Sequence, residues 1–563
     1  MKPAHEKYIP FVPLKMTRRA WPDRELKAPP VWCSVDLRDG NQALIDPMNV
    51  REKLELFHTL VDIGVKEIEV GFPSASETEY EFIRTLIEGG HIPDDVTIQV
   101  LVQAREHLIR RTFEAIDGAK HVIFHFYNST STLQRKVVFH TDVEGVKKIA
   151  VDAARLIREL SQPAVDAGMD LRYEYSPESF MGTEMDAAVE ICQAVIEAIG
   201  ATPERKVILN LPTTVENCMP NYFADEIEYF ISRLPGRDRA IISLHPHNDR
   251  GEGVATAELG LLAGAERVEA TLFGNGERTG NVDMVTLALN LYTQGVDPKL
   301  DFSDINKIRD VYERVTKMKI GERQPYVGEL VFTAFSGSHQ DAINKGTRYM
   351  EESGTEYWEV PYLPIDPADV GRQYEPIIRI NSQSGKGGSA FVMQHSFGFD
   401  LPKAMHPEFG HIVQVETDRV GKELKPNAIY DLFKTHYIDA VKPYQLVQHS
   451  FAEFTDEAGH SHVTFAGTIR HTDTVFQVQG SGNGPIDAFF NAIHGQKMDR
   501  FTFIDYKEHA VKQGSDSQAV AYIHLQDENG KDWFGVGMSH NINLAPLKGI
   551  LSAINRAVSH DGK

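Results

Sequence analysis

The sequence predicts an α/β fold in which an eight-stranded barrel is followed by linker subdomains and then by an α+β domain. Three observations lead to this prediction. Short apolar runs alternate with amphipathic stretches eight times in the first half of the chain. Polar side chains follow nearly every apolar run, and the residue pattern changes near positions 325 and 440. We therefore expect three regions, at residues 1–325, 326–440 and 441–563.

Eight short segments in the first region are rich in β-branched and aromatic residues, which is typical of strands. They are residues 31–35, 67–70, 96–102, 121–126, 171–175, 207–211, 241–244 and 268–272. Helical spacing of apolar residues predicts helices between them, for example over 50–63, 142–167, 185–199 and 255–264. Parallel strands need such crossovers. The alternation favours a (β/α)8 TIM barrel, with an open doubly wound sheet as the alternative.

Hydrogen-bonding or metal-ligating side chains follow every predicted strand but one. In a barrel these positions surround one mouth, whereas an open sheet would spread them along a line. The presence of such side chains after nearly all the predicted strands therefore favours the barrel. They include Arg38, Asp39, Gln103, Asn128, Ser176, Glu178, Thr213, Thr214, His245, His247 and the glycine-rich segment 274–281.

A His-x-His pair closes the seventh strand. His245 and His247 are two residues apart, so in extended backbone both imidazoles point to the same face and can bind one ion. Asp39 adds a carboxylate oxygen and Asn281 can add an amide oxygen, which leaves open positions for a bidentate substrate. These ligand types admit Mg²⁺, Mn²⁺ or Zn²⁺. The alternative is a pair of polar strand-end residues without a metal.

Arg38 lies directly beside Asp39. A buried arginine next to a ligand carboxylate can face the oxygen on which charge develops when a ketone is attacked. The alternative is a structural pair between an arginine and a carboxylate. Together these residues favour a metal site that polarises a carbonyl group.

The second region is rich in Pro, Gly, Ser and Tyr, which predicts linker subdomains with few long helices. The third region contains predicted strands over 445–454, 462–471, 474–479, 501–507 and 518–525, and predicted helices over 485–493 and 544–557. This order indicates one βββα unit used twice. Because few catalytic residue types follow these strands, a regulatory or small-ligand module is favoured. A simple dimerisation domain is the alternative, and nucleotide binding by the turn 480–485 is a weaker one.

Composition excludes several classes of protein. A net charge of −22 argues against a nucleic-acid-binding surface. Three cysteines do not form a disulfide scaffold and fit no zinc motif, which favours reduced thiols and a cytoplasmic location. No apolar run has the length of a transmembrane helix, and the N-terminus lacks the apolar core of a signal peptide.

With these motifs in place, the chain resembles the 2-isopropylmalate synthase family, part of a wider group with homocitrate and citramalate synthases and hydroxymethylglutaryl-CoA lyase. One matching signature is Leu37-Arg38-Asp39-Gly40, with Gln42 and later Lys53. The second is the run 242–255 around His245-x-His247-Asn248-Asp249. Segments 336–341, 361–366 and 381–388 resemble the longer bacterial form, so the likeness covers nearly the whole chain.

The resemblance implies a Claisen-type condensation of acetyl-CoA with 3-methyl-2-oxobutanoate. The products would be (2S)-2-isopropylmalate and free coenzyme A, in the first committed step of leucine synthesis. The implied roles cover one metal site, one oxyanion group, three pocket residues and an acid–base pair. The metal ligands would be Asp39, His245, His247 and Asn281; Arg38 would stabilise the alkoxide; Thr214 would bind the substrate carboxylate; Ser176 and Glu178 would shape the pocket; and His339 and Tyr362 would carry out acid–base work.

His339 is expected in a Ser-Gly-Ser-His turn outside the barrel, so a partner subunit of a homodimer could supply it. The resemblance also implies that the third region binds L-leucine and inhibits the enzyme. Gly480, Gly482, Gly484 and Pro485 would then lie near the effector site. A requirement for K⁺ stays open.

Three alternatives remain at this point. Citramalate or homocitrate synthase would apply the same chemistry to pyruvate or 2-oxoglutarate, a choice that depends on pocket size. A carbon–carbon lyase is disfavoured by the long C-terminal region. A non-catalytic amino-acid sensor with a decayed barrel predicts loss of the ligand residues, yet all of them are present.

Overall fold

The computed structural model describes residues 4–334, 336–374, 385–420, 424–455, 461–494, 498, 500–511 and 517–561. The chain divides into two compact units. The first comprises Met1–Phe332 and Pro364–Gln373, and the second comprises Thr333–Leu363 and Tyr374–Lys563. Of the family-like segment 381–388, residues 381–384 lie outside the described residues.

Eight parallel strands close into a barrel in the first unit, with β1 hydrogen-bonded to both β2 and β8. The predicted TIM barrel is confirmed, and the open-sheet alternative is wrong. The strands are β1 (Val31–Ser34), β2 (Glu67–Gly71), β3 (Thr97–Gln103), β4 (His121–Ser129), β5 (Asp170–Glu178), β6 (Val207–Thr213), β7 (Ala240–Pro246) and β8 (Arg267–Ala270).

Helices alternate with these strands. They are α1 (Val50–Ile63), α2 (Glu77–Glu88), α3 (Glu106–Ala115), the short α4 (Thr132–Gln134), α5 (Val143–Asp166), α6 (Met185–Ile199), α7 (Pro220–Arg233), α8 (Gly253–Leu262), α9 (Met284–Tyr292) and α10 (Ile305–Thr316).

Helix α1 illustrates how local sequence sets the boundaries of an element. The Asn49 side chain accepts hydrogen bonds from the backbone N–H groups of Arg51 and Glu52, and the Glu52 carboxylate accepts one from the backbone N–H of Asn49, which forms a capping box. At the other end Gly64 adopts a φ of 104°, a left-handed conformation that favours glycine. Between these caps, Phe57 and Leu60 are fully buried.

The C-terminal part of the second unit contains two antiparallel three-stranded sheets, each followed by a helix, so the predicted repeat of a βββα unit is confirmed. The first repeat has β9 (Tyr444–Thr455), β10 (Ser461–His471), β11 (Thr474–Gly482) and α15 (Pro485–Ile493). The second has β12 (Phe501–Ala510), β13 (Ala519–Asp527), β14 (Asp532–Ser539) and α16 (Leu544–Asp561). Ahead of both lie α11 (Gly337–Ser353), α12 (Gly385–Phe397), α13 (His406–Val420) and α14 (Pro426–Phe433).

Helices α11 to α14 contradict the expectation of few long helices between residues 326 and 440. The expectation was wrong because local composition there is a poor guide to structure, whereas tertiary packing stabilises the helices. Phe409 of α13 and Phe433 of α14 are fully buried in one apolar cluster with Val520 and Tyr522 of β13. His339 likewise lies in the first turn of α11 rather than in an isolated turn.

Within the described residues, none of the helices combines the length and the apolar character that a bilayer crossing requires.

Candidate active site

Arg38 and Asp39 lie on a five-residue π-helical turn, Asp36–Gly40, directly after β1. Asp36 anchors this turn: its carboxylate accepts a hydrogen bond from the Ser34 hydroxyl (2.8 Å) and another from the backbone N–H of Leu272 (3.0 Å). Burial raises the pKa of Asp36 to about 7. The turn is thereby tied to the segment after β8, and π-helical turns of this kind are frequent at functional sites.

The four predicted metal ligands converge at the mouth of the barrel. Asp39 Oδ2 lies 3.0 Å from His245 Nε2, 3.9 Å from His247 Nε2 and 2.7 Å from Asn281 Nδ2. One ligand atom from each of Asp39, His245 and His247 falls within 4.8 Å of the others. An isolated antiparallel bridge pairs the backbone of His247 with that of Asn281. This bridge holds the segment that follows β8 next to the end of β7.

These side chains fit a divalent cation. Among the described residues, the buried atom Asn281 Oδ1 has no hydrogen-bond partner. A buried acceptor without a donor costs free energy, and a cation at this point would compensate for part of that cost. One carboxylate, two imidazoles and one amide form a donor set that suits Mg²⁺, Mn²⁺ or Zn²⁺.

The electrostatics of the cluster favour an ionised carboxylate. Burial alone would raise the pKa of Asp39, but the Arg38 guanidinium and His245 hold it well below its usual range. Burial and the neighbouring His245 lower the pKa of His247 to about 4, so this imidazole is neutral at physiological pH. Burial opposes protonation of His245 too, yet hydrogen bonds with Asp39 and Glu269 raise its pKa to about 9.

Arg38 is held between two carboxylates. Its Nη1 lies 2.9 Å from Asp39 Oδ1, and its Nε donates to Glu69 on β2. Only 11% of the side chain is exposed. Because both ends of the guanidinium fork are fixed, its remaining N–H groups are oriented before a substrate binds. Arg38 is therefore placed to act on an oxygen atom in the barrel mouth.

A cavity of about 560 Å³ opens beside this cluster. Its polar lining includes all the predicted site residues of the barrel except Asn281. Apolar walls come from Phe72, Leu101, Tyr127 and Pro212. The polar lining residues are Arg38, Asp39, Ser176, Glu178, Thr214, His245 and His247, together with Asn41, Gln42, Ser76, Glu79, His125, Asn210, Glu277 and Arg278.

The three predicted pocket residues are each fixed by a neighbour. The Ser176 hydroxyl lies 2.8 Å from His125 Nε2. Glu178 accepts a hydrogen bond from the Ser129 hydroxyl, and Thr214 Oγ1 accepts one from the backbone N–H of Ser179 at 2.8 Å. These contacts hold the side chains at the ends of β5 and β6, on one side of the cavity.

His339 and Tyr362 belong to the second compact unit rather than to the barrel. Their rings stack with a centroid separation of 4.0 Å and an interplanar angle of 23°. Tyr362 has a φ of 66° and is 61% exposed. A bulky residue with a positive φ is strained, and such strain is common at functional positions.

The four predicted regulatory residues lie where β11 ends and α15 begins. A Cβ atom at Gly480 or Gly482 would clash with the backbone of Ala492 or Ala488, so these glycines let the helix pack closely on the strand. Pro485 occupies the first turn of α15 and Gly484 precedes it as the N-cap.

Sequence reasoning missed the buried polar residues inside the barrel. Glu69, His125 and Glu269 are all buried, and one ligand atom of each lies within 4.8 Å of the others. A signal was present, because Glu67, Glu69, Glu174 and Glu269 interrupt apolar strands, where charged residues are rare unless paired.

Comparison with protein families divides the chain into three matches. Residues 29–312 match the family described as HMGL-like. Residues 329–394 match the alpha-isopropylmalate synthase, post-catalytic domain-like family, and residues 423–558 match the LeuA allosteric (dimerisation) domain. The first match covers all eight barrel strands and the four predicted metal ligands.

Similar proteins align over their full length. A 2-isopropylmalate synthase of Clostridium acetobutylicum is 53% identical over 556 residues, which cover 98% of this chain and 99% of that protein. The enzyme of the same name from Brucella suis is 53% identical over 99% of both chains. That of Mesorhizobium japonicum is 52% identical over 100% of both.

Proposed function

This chain belongs to the 2-isopropylmalate synthase family, and from that premise we propose that it condenses acetyl-CoA with 3-methyl-2-oxobutanoate. Water is consumed, and the products are (2S)-2-isopropylmalate and coenzyme A. This is the first committed step of leucine synthesis. The observation that carries the proposal is the full-length identity of 53% to proteins of that name. The convergence of Arg38, Asp39, His245, His247 and Asn281 at one mouth supports it.

Asp39, His245, His247 and Asn281 would hold a divalent cation, Mg²⁺ in our proposal, which supplies Lewis acidity toward the ketone and carboxylate oxygens of the oxo acid. Thr214 binds the substrate carboxylate through its hydroxyl group. Arg38 donates hydrogen bonds to the oxygen that becomes the alkoxide as the new carbon–carbon bond forms. Ser176 and Glu178 shape the pocket around the remainder of the oxo acid.

The methyl group of acetyl-CoA is a weak carbon acid, so a positioned base is needed to remove its proton. We assign this acid–base work to His339 and Tyr362, whose rings stack on each other. Since both lie outside the barrel, we propose a homodimer in which one copy supplies these residues to the barrel of the other. The match of residues 423–558 to an allosteric dimerisation domain supports a dimer.

Mixing two inactive variants tests the shared site. Asp39→Ala and His339→Ala chains, unfolded together and refolded as a mixture, should recover about a quarter of the wild-type activity, because half of the dimers are mixed and each has one intact site. Each variant refolded alone is the control. No recovery in the mixture, or a fully active monomer in gel filtration, would exclude sharing.

The C-terminal domain is proposed to bind L-leucine and to inhibit the enzyme, with the turn between β11 and α15 near the effector site. Millimolar L-leucine should lower the rate, whereas D-leucine should not, because an enclosed site distinguishes the two side-chain directions. Initial rates at fixed substrate concentrations measure the effect. Rates unaffected by L-leucine would favour a domain that only dimerises.

Release of free thiol from acetyl-CoA, followed with a panel of 2-oxo acids, tests the function directly. We expect the highest kcat/KM with 3-methyl-2-oxobutanoate and about 10- to 200-fold lower values for acids that differ by one methylene. Preference for pyruvate or 2-oxoglutarate would indicate citramalate or homocitrate synthase.

The same assay tests the metal. EDTA should abolish turnover and Mg²⁺ should restore it, whereas turnover in EDTA would refute the metal assignment. Exchange of K⁺ for Na⁺ in the same assay tests the open question of a monovalent ion.

A cytoplasmic location is proposed from the cysteines. Cys33, Cys192 and Cys218 are all buried and free, as expected of a protein that folds in a reducing compartment.

A further inference from the structure

Glu269 on β8 has no exposed surface, and both of its carboxylate oxygens are occupied. Oε2 lies 2.7 Å from His245 Nδ1 and accepts a hydrogen bond from Asn210 Nδ2 at 2.9 Å. Oε1 accepts from Gln99 Nε2 at 2.7 Å and from Arg267 Nη1 at 3.2 Å. Four donors from four different strands therefore fix this carboxylate in one orientation.

The contact with His245 determines how that imidazole can act. With Nδ1–H donated to Glu269, the opposite nitrogen, Nε2, points to Asp39, 3.0 Å away. An imidazole that gives one N–H to a carboxylate has its tautomer and its ring orientation fixed, which leaves the other nitrogen available as a ligand.

His247 provides a contrast within the same cluster. Among the described residues its Nδ1 has no hydrogen-bond partner, and the bond that fixes this residue runs from its backbone N–H to Thr213 Oγ1, at 2.9 Å. The ring of His247 therefore lacks the carboxylate support that His245 receives.

We propose that Glu269 is the positioning residue of the metal centre: it holds His245 so that Nε2 faces the ion, without itself touching ion or substrate. The inference rests on the proposed metal site and extends it to a residue of the barrel interior. It predicts that loss of the Glu269 carboxylate weakens metal binding even where the barrel stays folded and all four ligands are present.

Glu269→Gln is a sharp test because the Glu269 carboxylate is the acceptor in all four of the hydrogen bonds described above. A glutamine at this position has an NH2 group in place of one oxygen. In one orientation that group faces the donors His245 and Asn210, and in the other it faces the donors Gln99 and Arg267. The Gln99 amide cannot turn its oxygen toward residue 269, because that oxygen, Oε1, already accepts a hydrogen bond from Arg267 Nη2 at 2.7 Å. The isosteric change therefore disturbs the orientation of His245 while the volume of the side chain is retained.

Glu67→Gln is the matched control. Glu67 on β2 is a second buried carboxylate that pairs with Arg267, whose Nε lies 2.6 Å from Glu67 Oε2. Its other partner is Arg172, whose Nη1 lies 2.8 Å from Oε1, and neither arginine is a proposed ligand. Both variants remove one carboxylate that pairs with Arg267, so a difference between them reports the remaining contacts of Glu269, of which the one with His245 involves a proposed ligand.

The experiment measures the Kd of the chelator-stripped full chain for Mn²⁺, by competition with a chromophoric chelator, alongside the midpoint of thermal unfolding. We expect about 10- to 100-fold weaker binding for Glu269→Gln and wild-type affinity for Glu67→Gln. Equal affinity of Glu269→Gln and wild type would overturn the positioning role. Failure of the wild-type protein to bind Mn²⁺ would instead refute the proposed metal site itself.

Glu269→Asp is a second variant that keeps the charge beside Arg267 but withdraws the carboxylate from His245 by one methylene. It too should weaken Mn²⁺ binding. If both variants unfold, Glu269 is a structural residue of the barrel and the inference fails.

Discussion

Replacement of Asp39 with asparagine is expected to lower kcat by about 10³-fold or more. The variant keeps the shape of the side chain but removes the one carboxylate among the four proposed ligands. Metal-derived stabilisation of transition-state charge is worth several kcal/mol, and each 1.4 kcal/mol corresponds to about tenfold in rate. Thiol release from acetyl-CoA at saturating oxo acid measures the loss, and competition with a chelator should show weaker Mn²⁺ binding.

Asp225→Asn is the matched control for this variant. Asp225 on α7 is also a buried aspartate paired with an arginine, since Arg19 Nε lies 2.7 Å from its Oδ1, but it does not line the cavity. It should lower the thermal midpoint and leave kcat within about twofold of the wild-type value. If Asp39→Asn retains activity, Asp39 is not a ligand.

Replacement of Arg38 with lysine is expected to lower kcat by about 10²- to 10³-fold, the usual cost of removing one preorganised oxyanion donor. A lysine cannot donate in fork geometry to Asp39 and Glu69 together, so no fixed donor remains for the developing alkoxide. The KM for the oxo acid should change much less than kcat, because the lost interaction forms mainly in the transition state. Steady-state kinetics give both values.

Mn²⁺ affinity distinguishes Arg38 from the ligands, because Arg38→Lys should bind the ion nearly as well as wild type. Arg172→Lys serves as the control: Arg172 pairs with Glu67 at 2.8 Å, but it does not line the cavity. Its kinetics should match those of the wild type. A kcat for Arg38→Lys within a few-fold of wild type would mean that Arg38 is only a structural partner of Asp39.

The barrel and its mouth could be predicted because both depend on local patterns. Apolar runs of strand length and helical spacing between them are visible in the sequence, and parallel closure then brings the residues after each strand together. Asp39 and His245 are 206 positions apart in the chain, yet the rule for barrel strand ends sufficed to bring them to one mouth.

The buried residues that hold the site residues in place could not be predicted in the same way. That Glu69 holds Arg38, or that Glu269 holds His245, depends on how far around the closed barrel each strand lies and which side chains point inward. A charged residue inside an apolar strand signals that a partner exists, but it does not say which of the other strands supplies it.

The boundaries of the compact units are also difficult to predict from the sequence. The predicted boundaries near 325 and 440 stay predictions, and the first compact unit includes a returning segment, Pro364–Gln373. Arg372 fixes this segment by donating to the backbone oxygens of Val327 (2.8 Å) and Gly328 (3.0 Å). Such a return depends on contacts between distant residues and leaves no periodic pattern in the sequence.

Binding of 3-methyl-2-oxobutanoate to chelator-stripped protein, measured by isothermal titration with and without Mg²⁺, tests the central claim most directly. The oxo acid should bind tightly only when the ion is present, and Asp39→Asn should abolish the difference. Equal affinity of the wild-type protein in EDTA and in Mg²⁺ would contradict the claim that Asp39, His245, His247 and Asn281 form a metal centre that receives the substrate.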